Sequence, residues 1–151
     1  MSKIAIAYYS RHHGNTKKLL DAIKESDPSV VLIDVTEKHE VDLTKFDIIG
    51  FASGIYFGKF SENVVTFARI NLPPQKKVFC ISTAGNPTSR DFDEIKSVID
   101  EKFCNSLGSF QCPGFDTFGP FKLIGGIKKG HPTDDEVQDG VDFYRRNVKN
   151  R

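Results

Sequence analysis

The chain has 151 residues, 38% hydrophobic and 27% charged, which suits one folded core and excludes a disordered or fibrous protein. Lysine and arginine total 21 against 20 acids, a formal net charge of +1, and no basic stripe interleaved with aromatics appears, so nucleic acid is not an expected partner. No apolar run reaches the roughly 20 residues of a membrane span, and no secretion signal opens the chain. Cys80, Cys104 and Cys112 form no C-x-x-C pair, so neither a disulfide framework nor a metal site is expected. A cytoplasmic protein without membrane insertion follows as the default expectation.

Lys3 to Tyr9 (KIAIAYY) is apolar on both faces at strand length, the mark of a buried parallel strand. The run breaks at Ser10 to Asn15, and a helical pattern follows with Leu19, Leu20 and Ile23. Val30 to Val35 reads as a second strand, Thr36 to Lys45 as a short polar crossover, and Phe46 to Ala52 as a third strand. Ser61 is expected to cap a helix bearing Val64, Phe67 and Ala68 at helical spacing, stopped by Pro73 and Pro74. Lys77 to Thr83 is a fourth strand. Asp91 is a plausible cap for the next helix, with Phe92, Ile95, Ile99 and Phe103 on one face. A fifth strand is expected within Ser109 to Phe118, where Pro113 and Gly114 suggest a bulge or an edge position. Thr133 and Glu136 form a capping box for a last helix with a Val137, Val141, Tyr144 and Val148 stripe. Its acidic first turn and basic last turn complement the helix dipole.

This alternation predicts one α/β domain, a three-layer sandwich with helices on both faces of a five-stranded parallel sheet in the order 2-1-3-4-5. Ligands of such sheets bind at the carboxyl ends of the strands, at the switch point in strand order. The loops to examine are therefore Ser10–Thr16, Ser53–Phe60 and Thr83–Arg90.

The first loop, SRHHGNT, offers Ser10, Asn15 and Thr16 as side-chain donors and Gly14 for a close backbone approach. Amides at a helix start favour an anion, Arg11, His12 and His13 add positive charge, and nothing in the loop is acidic. The loop therefore suits a phosphate; the alternative is a polar strand-to-helix turn with a cap. G-x-x-x-x-G-K-[ST] and G-x-G-x-x-G are both absent, as are the first-loop cysteine of phosphatases of similar topology and the acidic pair of response-regulator receivers. In the second loop, Ser53, Gly54 and Gly58 accompany the apolar Ile55, Tyr56 and Phe57. Exposed aromatics there suggest a planar ring system to stack on, or else a plug in the core. The third loop, with Thr83, Ala84, Gly85 and Asn86, is small and polar and can bring amides to a ligand's edge. His39 and His131 read as surface residues, Lys128 and Lys129 as a solvated loop, and no hydrolytic constellation is present.

Together these loops resemble the flavodoxin family. SRHHGNT is similar to its phosphate loop, [S/T]-x-T-G-x-T, with His-His where the family has threonine. DIIGFASGIYFGKF resembles the third strand and loop of a group that includes the menaquinone-dependent protoporphyrinogen oxidases, and ISTAGN resembles the second flavin loop. The resemblance spans essentially the whole chain. It implies a flavodoxin-like fold holding flavin mononucleotide (FMN). Ser10, Arg11, His12, His13, Gly14, Asn15 and Thr16 would surround the phosphate. Ser53, Gly54, Ile55, Tyr56, Phe57 and Gly58 would lie beside the isoalloxazine, and Thr83, Ala84, Gly85 and Asn86 near its pyrimidine ring. The implied role is electron transfer, with redox partner proteins or a small-molecule electron acceptor, as a monomer or weak dimer and with no catalytic side chain. Two alternatives stand beside it: an FMN-dependent oxidoreductase acting on a quinone, porphyrin or other small molecule, and a binding module that has lost the flavin. The chain is nearly neutral where flavodoxins are strongly acidic, which weakens long-range steering towards a basic partner. With Arg11, His12, His13 and Lys59 on the loops and no carboxylate within Ser53–Phe60, reduction is expected to be easier than in an acidic family member. Gly58 is expected to leave its peptide free to turn over.

Overall fold

The computed structural model describes residues 2–11, 14–115 and 129–150. His12, His13 and residues 116–128, Lys128 among them, lie outside the described residues. In chain order the elements are β1 (Ile4–Tyr9), α1 (Asn15–Ser26), β2 (Val31–Asp34), β3 (Ile48–Tyr56), β4 (Lys59–Phe60), α2 (Glu62–Asn71), β5 (Lys77–Ala84), α3 (Asp93–Glu101), β6 (Asn105–Pro113) and α4 (Asp134–Tyr144). Five strands pair in parallel in the order β2-β1-β3-β5-β6, which is the expected order with one short strand added; β4 folds back antiparallel on β3. The chain is thus an α/β parallel sheet with the flavodoxin-like arrangement.

Alternate residues of each strand feed two cores. Ala5, Ile49, Phe51, Val78 and Cys80 face α2 and α3, while Ile4, Ile6, Phe79 and Ile81 face α1 and α4. Ser61 caps α2 as expected, its hydroxyl accepting from Asn63 N at 3.2 Å. Thr133 and Glu136 close their reciprocal box at the start of α4. That helix continues through one wider turn, Arg145–Lys149, which supplies Arg146 and Lys149 at its basic end.

Five local expectations are corrected. Thr88 rather than Asp91 is the cap after β5: a short 3-10 turn, Ser89–Phe92, precedes α3, and Asp91 is the acidic partner in its box, accepting from Thr88 N at 2.9 Å. Phe103 leaves the helical face because α3 has already ended at Glu101; its φ is +56° and it is 81% exposed. The fifth parallel strand begins at Asn105 and not within Ser109–Phe118; its first two residues are polar and exposed, so no apolar pattern marks its start. Its irregularity sits at Leu107, where the register steps from Val78–Ser106 to Phe79–Gly108, and not at Pro113–Gly114. The edge position is as expected, since among the described residues β6 pairs only with β5. Finally, β3 runs on to Tyr56 where a loop was expected from Ser53. Lys59 and Phe60 pair with Tyr56 and Ile55, so the segment is a hairpin whose two-residue turn, Phe57 at φ +53° and Gly58 at φ +75°, is of the primed type.

The far end of the sheet is clamped by a buried polar group. Tyr144, fully buried on α4, donates its hydroxyl to Asp27 Oδ2 at 2.6 Å, and Lys149 Nζ lies 3.0 Å from the same oxygen. Burial works against the charge on Asp27, yet hydrogen bonds from Tyr144, Ser29 and Lys149 outweigh it and hold its carboxyl down at about 2. A carboxyl lowered in the folded state contributes stability above its unfolded value near 3.8 and loses that contribution as the pH falls towards 2. Tyr144→Phe should therefore cost about 1–2 kcal/mol at neutral pH and flatten the loss of stability between pH 4 and 2, as measured by urea unfolding across that range.

Candidate cofactor site

Three segments converge where the strand order turns back between β1 and β3. A shallow, open cleft lies there. The first loop contributes Arg11, Asn15 and Thr16, the end of β3 contributes Gly54, Ile55 and Tyr56, and the end of β5 contributes Thr83, Ala84 and Gly85. Gly114 and Phe115, just past β6, complete the lining. Among the described residues no carboxylate lines this cleft, and Arg11 is its one cation.

The chain reaches this arrangement through a left-handed turn. Gly14 stands at φ +66°, ψ 25°, and opens α1 without a side-chain cap. A Cβ there would touch nothing within 4 Å, so glycine is needed for the backbone angle and not for space. Ser10 Oγ accepts from Lys17 N at 3.0 Å, which folds the loop back on the helix start and leaves the hydroxyl proton for a further acceptor. Thr16 and Thr83, 1% and 2% exposed, share a hydrogen bond between their hydroxyls at 2.9 Å, which fixes the first turn of α1 against the end of β5. Asn15 Nδ2 donates across to Phe115 O at 2.8 Å. A Cβ on Gly114 would lie 2.7 Å from that nitrogen, so only glycine lets the side chain of Asn15 pass.

Several candidate residues stand elsewhere. Ser53 is fully buried beneath the cleft, where its hydroxyl accepts from Ser61 N at 2.9 Å and donates to Gly54 O. It spans the foot of the hairpin. Ser82 beside it is buried, and among the described residues its hydroxyl has no partner. Gln111 completes the row and donates to Asp91 Oδ2 at 2.6 Å, tying β6 to the third loop. Phe57 and Gly58 form the hairpin tip outside the cleft, and Phe57, 78% exposed, is no core plug. Asn86 is exposed and does not line the cleft. The hairpin has no acid of its own, but the fold brings Glu94 to 3.5 Å from Lys59 and places Glu62 nearby, so the local charge is more balanced than the loop alone suggested.

Gly114 and Phe115 were not singled out as site residues. A glycine ending an edge strand on the sheet's carboxyl side was their available signal, and it read as a bulge. His39 is exposed as expected. His131 is only half so: its carbonyl accepts from Phe115 N at 2.9 Å and its Nδ1 lies 2.5 Å from Glu136 Oε1, so it anchors the cleft's outer rim. Burial opposes the charge on Glu136, but hydrogen bonds from Thr133 and His131 hold its carboxyl below the usual range. The three cysteines are free, and burial pushes the thiols of Cys80 and Cys112 up to about 12, which leaves them unreactive. No helix among the described residues is long and apolar enough to cross a membrane.

Residues 5–115, most of the chain, match the family model of the flavodoxin domain. The chain belongs to the flavodoxin family. An uncharacterized protein of Methanocaldococcus jannaschii is 36% identical over 151 residues, covering 98% of this chain and 99% of its own length. Flavodoxin 2 of Bacillus cereus superposes with a TM-score of 0.69 at 18% identity, covering 99% of this chain and 100% of its own. A flavoprotein in complex with FMN from Lactobacillus acidophilus gives a TM-score of 0.57 at 16% identity, over 74% of this chain and 93% of its own. These two structural likenesses speak for the flavodoxin fold.

Ser53→Ala removes the acceptor of the buried Ser61 amide. It should cost about 1–3 kcal/mol, read as a lower urea midpoint, and should raise hydrogen exchange at Gly54–Ser61 more than in β1 or β5.

Proposed function

We propose that the protein binds one FMN in this cleft and transfers electrons between protein partners. The observation that carries this reading is the left-handed Gly14 turn opening α1 at the switch point, facing a cleft lined, among the described residues, by one arginine and no carboxylate. The residues present fit a phosphorylated cofactor. Ser10, Arg11 and the amides at the start of α1 are the donors for the phosphate. Thr16 and Thr83 give a hydroxylated floor, and Ala84 and Gly85 bring backbone to the edge of a ring. Tyr56 and Ile55 supply the apolar wall. When bound, the flavin supplies the redox chemistry; the chain supplies placement, exclusion of water and the local charge. Arg11 favours negative charge gathering at the cofactor on reduction, and among the described residues nothing acidic in the lining opposes it.

One observation favours a second reading, an oxidoreductase acting on a small molecule. A second, open hollow adjoins the cleft and shares Arg11 and Tyr56 with it.

Purified protein titrated with FMN should quench flavin fluorescence to a one-to-one endpoint and keep its yellow colour after gel filtration. Arg11→Glu should weaken binding at least tenfold and shift the midpoint potential downwards. Chemically reduced protein should pass electrons to a small haem protein acceptor without consuming NADH. Flavin lost on gel filtration overturns FMN binding; rapid NADH or quinone turnover replaces the carrier reading with the oxidoreductase one.

A further inference from the structure

Two consecutive residues past β6 join three separate segments. Gly114 N donates to Ala84 O at 2.9 Å, at the end of β5, and Phe115 N donates to His131 O at 2.9 Å, ahead of α4. Phe115 O accepts from Asn15 Nδ2 at 2.8 Å, so both polar backbone groups of Phe115 are engaged. Asn15 is the first residue of α1, and its side-chain amide is committed to this junction. Lys18 Nζ donates to Pro132 O at 2.9 Å, a second tie from α1 to the segment ahead of α4.

The helix start needs such ties. Gly14 gives α1 no side-chain cap, and Ser10 Oγ takes the amide of Lys17. A helix opened in this way presents first-turn amides to an anion, and their aim depends on what holds the helix. The bond between Thr16 and Thr83 fixes where the first turn stands over the sheet. Asn15, about 100° round the helix from Thr16, fixes which way that turn faces. Gly114 exists in this arrangement for Asn15. It does not stand in the left-handed region, so its backbone would accept alanine. What a Cβ there would meet is Asn15, with Nδ2 at 2.7 Å, Cγ at 3.0 Å and Cβ at 3.1 Å.

We propose that Asn15 is a positioning residue and not a phosphate ligand. Anchored to the Gly114–Phe115 junction, it aims the first amides of α1 and so sets the preference of the cleft for a phosphorylated ligand over its unphosphorylated form. Gly114 leaves the room that the anchor needs, and the carbonyl of His131 holds the junction from the α4 side. The identity of the ligand as FMN rests on the reading above; the brace and its effect on a bound phosphate do not.

The test compares Gly114→Ala, Asn15→Ala and the double variant, with FMN and riboflavin titrated into each and followed by flavin fluorescence. Gly114→Ala should push the side chain of Asn15 off Phe115 O, weakening FMN about tenfold and riboflavin by less than about twofold. Asn15→Ala should weaken FMN as much. The double variant should lose no more than Asn15→Ala alone, because the added Cβ then finds the Asn15 amide gone. In ligand-free protein, both single variants should speed hydrogen exchange at the amides of Gly114 and Phe115. Inorganic phosphate, followed by NMR at the amides of Asn15–Lys18, should bind more weakly to both. Unchanged FMN affinity in Gly114→Ala, or an equal loss for FMN and riboflavin, would overturn the proposal. So would a through-bond coupling from the Asn15 side-chain nitrogen to the phosphorus of bound FMN, which would make Asn15 a ligand. Wild-type protein that retains no FMN yet binds inorganic phosphate with the same dependence on Gly114 and Asn15 defeats the cofactor reading and leaves the brace standing. Wild-type protein that binds neither defeats both.

Discussion

The hydrogen bond between the buried hydroxyls of Thr16 and Thr83 fixes where the first turn of α1 stands over the sheet. Every other feature of the cleft depends on that placement. Gly14 must turn left-handed for the chain to leave β1 and reach this point, and Ser10 must fold back to Lys17 to hold the turn. With α1 so placed, Asn15 reaches across to Phe115, and the rim is closed by His131 on the far side. A parallel sheet directs all these loops to one end, so a single buried contact between a helix start and a strand end organises the whole site.

Beneath the cleft runs a polar row, Ser53, Ser82 and Gln111, in register across β3, β5 and β6. Such groups are costly inside a core unless they are bonded. Ser53 is bonded to the hairpin's foot and Gln111 to Asp91, so two members of the row hold two rims of the cleft. The polar layer exchanges some hydrophobic burial for definition of the loops above it. The Asp27–Tyr144 clamp at the opposite end of the sheet does the comparable work for α4 without touching the site.

The sheet order and both helical layers were legible because strand and helix periodicities are strong where one face is buried, as in Ile4–Tyr9 and around Val141 and Tyr144. The glycine turn from β1 into α1 was legible because Gly14 stands between a strand pattern and a helical one. The hairpin was not, because the primed turn carries Phe57 where a turn residue would have announced it. Neither was Gly114, whose role is to clear a path for a side chain a hundred residues away in sequence. The start of β6 escaped because exposed Asn105 and Ser106 carry no alternation. For Gly114 the missing signal was a contact between distant segments, which local pattern does not encode.

The most direct measurement is a set of amide NMR spectra of labelled protein, recorded before and after one equivalent of FMN. The account predicts new, slowly exchanging peaks for Gly14, Asn15 and Thr16 and for Thr83, Ala84 and Gly85, with the amides of α3 and of β2 unmoved. Shifts confined to other surfaces, or an unchanged spectrum, would contradict it.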